Sequence, residues 1–339
     1  MQRENSAAYS FLTLPARANR IGRFDPFAPL AYSFGSFEVK PFACGCACGR
    51  SSLDMTDVNL DYLREWRGRT ESRSDVVTAA PIAALSATLD REDACPRAGD
   101  PLPPLWHWLY FLPAPRESEL GPDGHAKRGG FLPPVPLPRR MFAGDRVQFH
   151  RPLCVGENVS RLSRIVDVTH KEGRSGALVF VIVRHEISGN QGVAVVEEHD
   201  IVYRESPKPD DPRPAAQKPS SGAAWRREIH PYPPLLFRYS ALTFNGHRIH
   251  YDLRYATEVE GYPGLVVHGP LIATLLLDLL RRNLPNADVK SLWFRATRPL
   301  FDTAPFSVCG KLETGGKSAH LWAVDPDGWL AMEAIVELA

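Results

Sequence analysis

From residue 270 to residue 280 the chain is apolar on nearly every helical face: Leu, Ile and Ala broken only by Thr274 and Asp278. No glycine or β-branched cluster interrupts it, and Arg281 and Arg282 stand where the negative end of a helix dipole favours cations. A helix of this kind must be buried on almost all sides. It is too short to span a bilayer, which needs about 20 apolar residues. Wrapping a sheet around it is the remaining way to bury it.

The pattern downstream supplies such a sheet. Residues 289–300, 306–313, 319–325 and 329–338 are rich in Val, Ile, Leu, Phe and Trp, and turn sequences such as Asp327-Gly328 separate them. A buried helix followed by a strand meander is the local pattern of a hot-dog fold. Residues 147–151, 159–169, 176–187 and 193–203 form a second meander, with turns at 171–176 and 188–192. No helix is obvious for this earlier meander.

Elsewhere the pattern predicts a short amphipathic helix over 57–66, where Leu60, Leu63 and Trp66 recur at spacing three. Residues 75–78 read as extended, and Pro81 opens a helix over 82–89. Residues 102–112 (LPPLWHWLYFL) read as a core strand with aromatic flanks, in which His107 is a satisfied interior histidine. Residues 117–140 form a Gly/Pro-rich loop, long enough for a lid or a substrate wall, ending in Arg139 and Arg140, which read as solvated. Residues 205–224 are a Pro/Ser-rich linker, and residues 225–234 dock the chain again. Residues 235–243 read as a strand or loop.

The polar punctuation around the buried helix carries a resemblance. Asn245-Gly246-His247-Arg248-Ile249-His250, then Tyr255-Ala256, then residues 264–269 ending in His268-Gly269 resemble the hydratase motif of MaoC-like enoyl-thioester hydratases. Asn245 stands where most of that family has Asp. The string TFNGHRIHYD is similar to the branch with two fused hot dogs, which contains mesaconyl-C4-CoA (3-methylfumaryl-CoA) hydratase and the mitochondrial 3-hydroxyacyl-thioester dehydratases, where Asn is usual. The likeness is specific here and extends more loosely back to about residue 57.

The resemblance implies an α+β double hot dog: an N-terminal non-catalytic hot dog over 55–204, the linker, and a catalytic one over 225–339. It implies reversible hydration of mesaconyl-C4-CoA to citramalyl-CoA. The alternative is a 3-hydroxyacyl-thioester dehydratase acting on acyl carrier protein, and the non-enzyme alternative is an acyl-CoA-binding protein. His250 is the implied acid–base group, because a neutral imidazole can take and return a proton near pH 7. Asn245 does not titrate but can orient water; a turn-capping role is its plainer reading. His268 and Gly269 precede a helix N-terminus, where free N–H groups suit a thioester oxygen gaining charge. Arg248 and Arg254 are the nearest cations for a substrate carboxylate or CoA phosphates, with ordinary solvation as the rival reading. His247 has no assigned part. No metal and no cofactor beyond the CoA thioester substrate are expected.

Composition narrows little further. With 44% hydrophobic residues, 23% charged residues and a net charge of +1, the chain has a real core and no strong pull toward nucleic acid or anionic membrane. Residues 1–54 lack periodicity and read as a poorly structured extension. Their Cys44, Cys46 and Cys48 lack the second ligand pair of a finger-like metal site. Cys95, Cys154 and Cys309 read as reduced and buried. We expect a cytoplasmic protein, with the mitochondrial matrix as alternative because of Arg3, Arg17, Arg20 and Arg23. The two hot dogs make a monomer or pair again as a homodimer.

Overall fold

A computed structural model describes residues 58–173, 176–205 and 216–339. The cysteine-rich stretch and half of the expected linker, residues 206–215, lie outside them. The helices are α1 (Leu60–Arg64), α2 (Ala79–Thr88), α3 (Pro233–Leu242) and α4 (Gly269–Asn283). The N-terminal strands are β1 (Thr70–Val76), β2 (Arg139–Phe149), β3 (Asn158–Gly173), β4 (Gly176–Gly189) and β5 (Gly192–Arg204). The C-terminal strands are β6 (Trp225–Ile229), β7 (Val289–Ala296), β8 (Phe306–Leu312), β9 (Ser318–Val324) and β10 (Leu330–Leu338).

All ten strands belong to one antiparallel sheet in the order β1-β3-β4-β5-β2-β7-β10-β9-β8-β6. Each half holds five strands, and the second repeats the order of the first in mirror sequence. The halves join edge to edge where β2 pairs with β7, Asp145 opposite Phe294. The two hot-dog sheets are therefore continuous, which removes one exposed edge from each.

The repeat identifies the helix that the sequence left unassigned. α4 lies between the first and second strands of its half, and α2 lies between β1 and β2 in the same way. α2 is short and built of Ala and Ser, so its apolar signal is weak beside the Leu-rich α4. Every α4 residue from Leu271 to Leu280 is buried, as an apolar surface on all sides requires. Its leucines join α2 and both half-sheets in one core.

Four local expectations are corrected. Residues 235–243 belong to α3: Pro233 and Pro234 open the helix, where a missing N–H does no harm, and Leu235, Leu236, Tyr239 and Ser240 bury one face. Residues 102–112 form no strand. Trp106–Leu109 is a single 3-10 turn, set between Leu105 and Phe111, both in left-handed conformations. β2 begins at Arg139, eight residues before the expected 147, so Arg139 and Arg140 are strand residues. Of the three described cysteines Cys309 is buried, Cys154 half-buried and Cys95 exposed, against the expectation of burial for all.

Candidate active site

The site is built where α3 ends. Asn245 N–H bonds the Ser240 carbonyl at 2.8 Å and Phe244 N–H bonds the Ala241 carbonyl at 3.3 Å. Phe244 takes a left-handed φ of 49°. These bonds form a Schellman motif with phenylalanine in the place usually held by glycine, a strained choice for a non-glycine residue. The motif turns the chain so that Asn245 to His250 fold back across the N-terminus of α4. Asn245 Oδ1 accepts the His247 amide at 3.0 Å, closing an Asx turn. That bond fixes the amide's orientation and leaves Nδ2, a donor, as the group free to meet a ligand.

His250 is buried, and its Nδ1 lies 2.7 Å from the Val266 carbonyl. A carbonyl only accepts, so Nδ1 carries the proton and Nε2 keeps its lone pair. Burial brings the His250 pKa down to about 4, against the opposing pull of that carbonyl, so the ring is neutral near pH 7. His268 is wholly buried, with Nε2 2.8 Å from Ser240 Oγ and Nδ1 without a hydrogen bond. Burial, with His250 and His247 nearby, pushes its pKa well below the usual value. Ser240 thus holds Asn245 through its carbonyl and His268 through its hydroxyl.

The first intrahelical bond of α4 runs from Ile272 N–H to the His268 carbonyl. The N–H groups of Gly269 and Leu271 therefore have no intrahelical acceptor, and Pro270 has none to offer. A side chain at Gly269 would press its Cβ to 3.3 Å from the Phe142 ring of β2. Glycine here lets a ligand approach the helix end between α4 and β2.

The sequence marked the other wall as a loop and missed what it touches. The loop 117–140 crosses from the N-terminal half and docks on the motif, as a substrate wall would. Arg248 N–H bonds the Asp123 carbonyl at 2.9 Å, and Arg248 Nη1 bonds the Pro122 carbonyl at 3.0 Å. Gly124 and Gly246 touch backbone to backbone; a Cβ on Gly124 would overlap the Gly246 carbonyl. The loop brings His125 against His247, ring centroids 4.0 Å apart, and His247 stands perpendicular to His250 at 5.4 Å. Asp123 Oδ2 lies 3.0 Å from His125 Nδ1. Burial would raise the Asp123 pKa, but His125 outweighs it and holds the carboxyl well below the usual range. Burial lowers His247 to about 2, with His125 and His250 adding to the effect. The separation in sequence hides this contact, and the Gly-rich character of the loop was its one signal.

Arg248 and Arg254 are committed elsewhere. Arg248 Nη2 meets Asp252 at 2.8 Å and its guanidinium covers the Tyr255 ring at 4.2 Å. Arg254 is exposed and pairs with Glu258 at 2.8 Å. Two groups among the described residues offer three metal-ligand atoms each within 4.8 Å: Asp123, His125 and His247, and His185, Glu197 and His199. Burial lowers the His125 pKa against the pull of Asp123, and the charges of Arg140 and Arg128, which add to the lowering, work against a cation in the first group.

The second group sits in the N-terminal half. His199 Nε2 comes within 2.7 Å of Asp145 and 3.1 Å of Glu197, and His107 Nε2 lies 2.7 Å from Glu197. The His199 contacts lack hydrogen-bond alignment, so their attraction is that of an ion pair. Burial opposes charge on His199, but the two carboxylates outweigh it and raise its pKa well above the usual value. His107 is the satisfied interior histidine that the sequence predicts.

A helix wrapped by an antiparallel sheet, twice over in one chain, is the architecture of the MaoC-like double hot-dog proteins. Within that class the chain belongs to the hydroxyacyl-thioester dehydratase type 2 family, whose model matches residues 105–302. It is 48% identical over 273 residues to mesaconyl-C(4)-CoA hydratase of Chloroflexus aurantiacus, covering 80% of this chain and 96% of that one. It is 31% identical to the mitochondrial hydroxyacyl-thioester dehydratase type 2 of Schizosaccharomyces pombe, over 73% of this chain and 90% of that one. The fold is shared with HtdX of Mycobacterium tuberculosis, at a TM-score of 0.56 and 19% identity over 79% of this chain and 98% of that one. Among the described residues no helix is long and apolar enough to cross a membrane.

Proposed function

We propose that the chain is a hydro-lyase that adds water reversibly to an enoyl-CoA, taking mesaconyl-C4-CoA to citramalyl-CoA. The observation that carries the chemistry is His250: Nδ1 locked on the Val266 carbonyl, Nε2 unprotonated, beside the free N–H groups at the start of α4. The choice of substrate draws on the identity shared with the Chloroflexus hydratase over nearly all of its length.

In this reading the thioester oxygen rests on the Gly269 N–H, where the helix dipole favours negative charge. Asn245 Nδ2 donates to the oxygen of the attacking water. His250 Nε2 takes a proton from that water as its oxygen bonds to the β-carbon. The electron pair of the double bond moves toward the thioester, giving an enolate stabilised at the helix end. His250 then returns its proton to the α-carbon. One water is added and the step is redox-neutral overall, so the reaction draws on no redox cofactor. The unpaired Nδ1 of His268 supports its place beside the thioester.

The same reading makes residues 55–204 a non-catalytic hot dog, followed by a linker over 205–224 and the catalytic hot dog over 225–339. Thr78 and Ala79 stand at the start of α2 where His268 and Gly269 stand at the start of α4, which supports a non-catalytic first half. One chain supplies both halves of the site in this reading, and cytoplasmic residence goes with it. The family name favours a second reading, dehydration of a 3-hydroxyacyl thioester by the same groups in reverse, with the mitochondrial matrix as its setting. Absorbance at the enoyl-thioester band separates the two. Loss with mesaconyl-C4-CoA is expected; loss with crotonyl-CoA and a medium-chain trans-2-enoyl-CoA alone would favour the dehydratase. No loss with any would leave an acyl-CoA-binding protein.

A further inference from the structure

We propose that Arg140 and Tyr203 form the subsite that binds the free carboxylate of a dicarboxylic acyl thioester. This rests on the hydratase reading and names the residues that select its substrate class.

Alternate residues of a strand share a face, so Arg140 and Phe142 of β2 project to the same side. Phe142 is the ring that closes on Gly269. Arg140 therefore stands two residues, roughly 7 Å of strand, from the residue packed against the thioester-binding end of α4. Its cross-strand partner is Tyr203, which shares that face. Tyr203 is wholly buried, yet its hydroxyl has no well-aligned hydrogen bond, and the Arg140 guanidinium lies beside it. Burial raises the Tyr203 pKa, so the hydroxyl keeps its proton and can donate.

The neighbouring arginines are engaged by other groups. Arg139 reaches the Glu260 carbonyl at 2.8 Å, and Arg128 binds the carbonyls of Val135, Leu137 and Pro138. Arg248 and Arg254 hold Asp252 and Glu258. Arg140 differs: among the described residues no carboxylate lies within 4.0 Å of it. A half-buried guanidinium without a carboxylate partner, beside a buried hydroxyl that has no well-aligned hydrogen bond, matches the two oxygens of a carboxylate. The fork of an arginine binds such a group with two parallel hydrogen bonds.

The position also matches the reaction. In mesaconyl-C4-CoA the free carboxylate is attached to the β-carbon, the carbon that accepts water. Its binding group must then stand near the base, with the thioester one carbon further on. The charge of Arg140 reaches His125 and His247, the rings that lead to His250, while Phe142 places the same strand against Gly269. A straight-chain enoyl thioester carries no acceptor there, and binding it leaves both donors desolvated and unpaired, which a polar site rejects strongly.

The test uses the full chain and the variants Arg140→Gln, Arg140→Lys and Tyr203→Phe. It compares kcat/KM for mesaconyl-C4-CoA and crotonyl-CoA, and inhibition by succinyl-CoA and butyryl-CoA, inert thioesters that differ by the carboxylate. Arg140→Gln is expected to lower the mesaconyl-to-crotonyl ratio ~100-fold, mostly through KM, and to lower the preference for succinyl-CoA alike. Arg140→Lys should fall between, and Tyr203→Phe should lower both ratios about tenfold. Equal losses with both thioesters would assign Arg140 to the CoA phosphates or to the fold, and unchanged ratios would remove it from recognition; either overturns the proposal. If the wild type hydrates only crotonyl-CoA, the substrate reading fails, and the succinyl-to-butyryl ratio still tests the carboxylate subsite by itself.

Discussion

The imidazole rings of His250 and His268 lie nearly parallel, 19° apart with centroids separated by 3.7 Å. Each is held by a different partner, the Val266 carbonyl for His250 and the Ser240 hydroxyl for His268. The stack keeps both neutral, since a proton on one raises the free energy of a proton on the other. It also leaves one atom of each ring uncommitted, Nε2 of His250 and Nδ1 of His268. If the first moves the proton, His250→Gln will lower kcat by roughly 10²–10⁴ with a small change in KM, the usual range for losing a general base. His268→Gln should cost less, about 10–100-fold, because it removes a neighbour of the thioester and not the base. Steady-state kinetics with circular dichroism as a folding control checks both; a His250→Gln enzyme retaining a tenth of wild-type turnover would refute the assignment.

Acid should unfold this protein before it titrates the base. Burial lowers His250 to about 4, His185 to about 3 and His247 to about 2, and His268 well below its usual value. In the unfolded chain each titrates near 6.5. Between those limits the unfolded chain binds more protons, so the stability these rings contribute is complete above about 6.5 and is lost as pH falls. Asp145 opposes them: burial raises it to about 6, so the folded chain holds its proton where the unfolded chain has released it. Four histidines less one carboxyl give at most about 4 kcal/mol of lost stability per pH unit between pH 6 and 4.5. Urea titrations at pH 7 and pH 5 should differ by several kcal/mol. Initial rates taken before unfolding should hold their acid limb below pH 5; a limb centred near 6.5 would mean that His250 is not the buried neutral base.

How much of this was readable depends on the range of the interaction. α4 and β7–β10 were legible because burial imposes a period on the sequence: apolar all round for the helix, alternating or continuous for the strands. The motif residues 245–250 and 268–269 carried a resemblance and lie within one stretch. α3 was missed because a short run opened by Pro233 and Pro234 has too few residues for a helical period to stand out. α2 was seen as a helix but not as the twin of α4, since the equivalence lies in strand order. Asp123 and His125 were out of reach because their partner His247 is more than 120 residues away. Arg139 and Arg140 look solvated in a proline-rich neighbourhood, and only the register of β2 against β5 sets Arg140 opposite Tyr203.

Asn245 separates two roles that an aspartate would combine. Its Oδ1 is occupied by the His247 amide, so only a donor is left for water. Asn245→Asp keeps the turn, because a carboxylate oxygen accepts the same N–H, but it replaces the outward donor by an acceptor. It should fold like the wild type and change the pH–rate profile, adding a titration the wild type lacks. Asn245→Ala loses the turn bond and the donor together. A stability loss of about 1 kcal/mol and a kcat loss of roughly tenfold or more are expected. Equal kcat in the alanine variant would confine Asn245 to its turn.

Asp278 is the other interruption of the apolar helix, and its surroundings make it structural. Its carboxylate is almost wholly buried and meets Arg91 at 2.6 Å and Arg227 and Arg282 at 2.7 Å each. Arg227 and Arg282 also donate to the Leu89 carbonyl at the end of α2. One carboxylate thus ties together α4, β6 and the C-terminal end of α2, across both halves of the chain. Removing it leaves three guanidinium groups without their shared partner, and breaking a buried ion pair in this way typically costs about 3–5 kcal/mol. At about 2–4 °C per kcal/mol, Asp278→Asn should lower Tm by roughly 10 °C. The clamp lies nine residues along α4 from Gly269, roughly 14 Å at the helical rise. Assayed well below its Tm, the variant should therefore keep a kcat close to wild type. A kcat that falls together with Tm would instead mean that the far end of α4 sets the position of the thioester-binding end, and the clamp would then belong to the catalytic machinery.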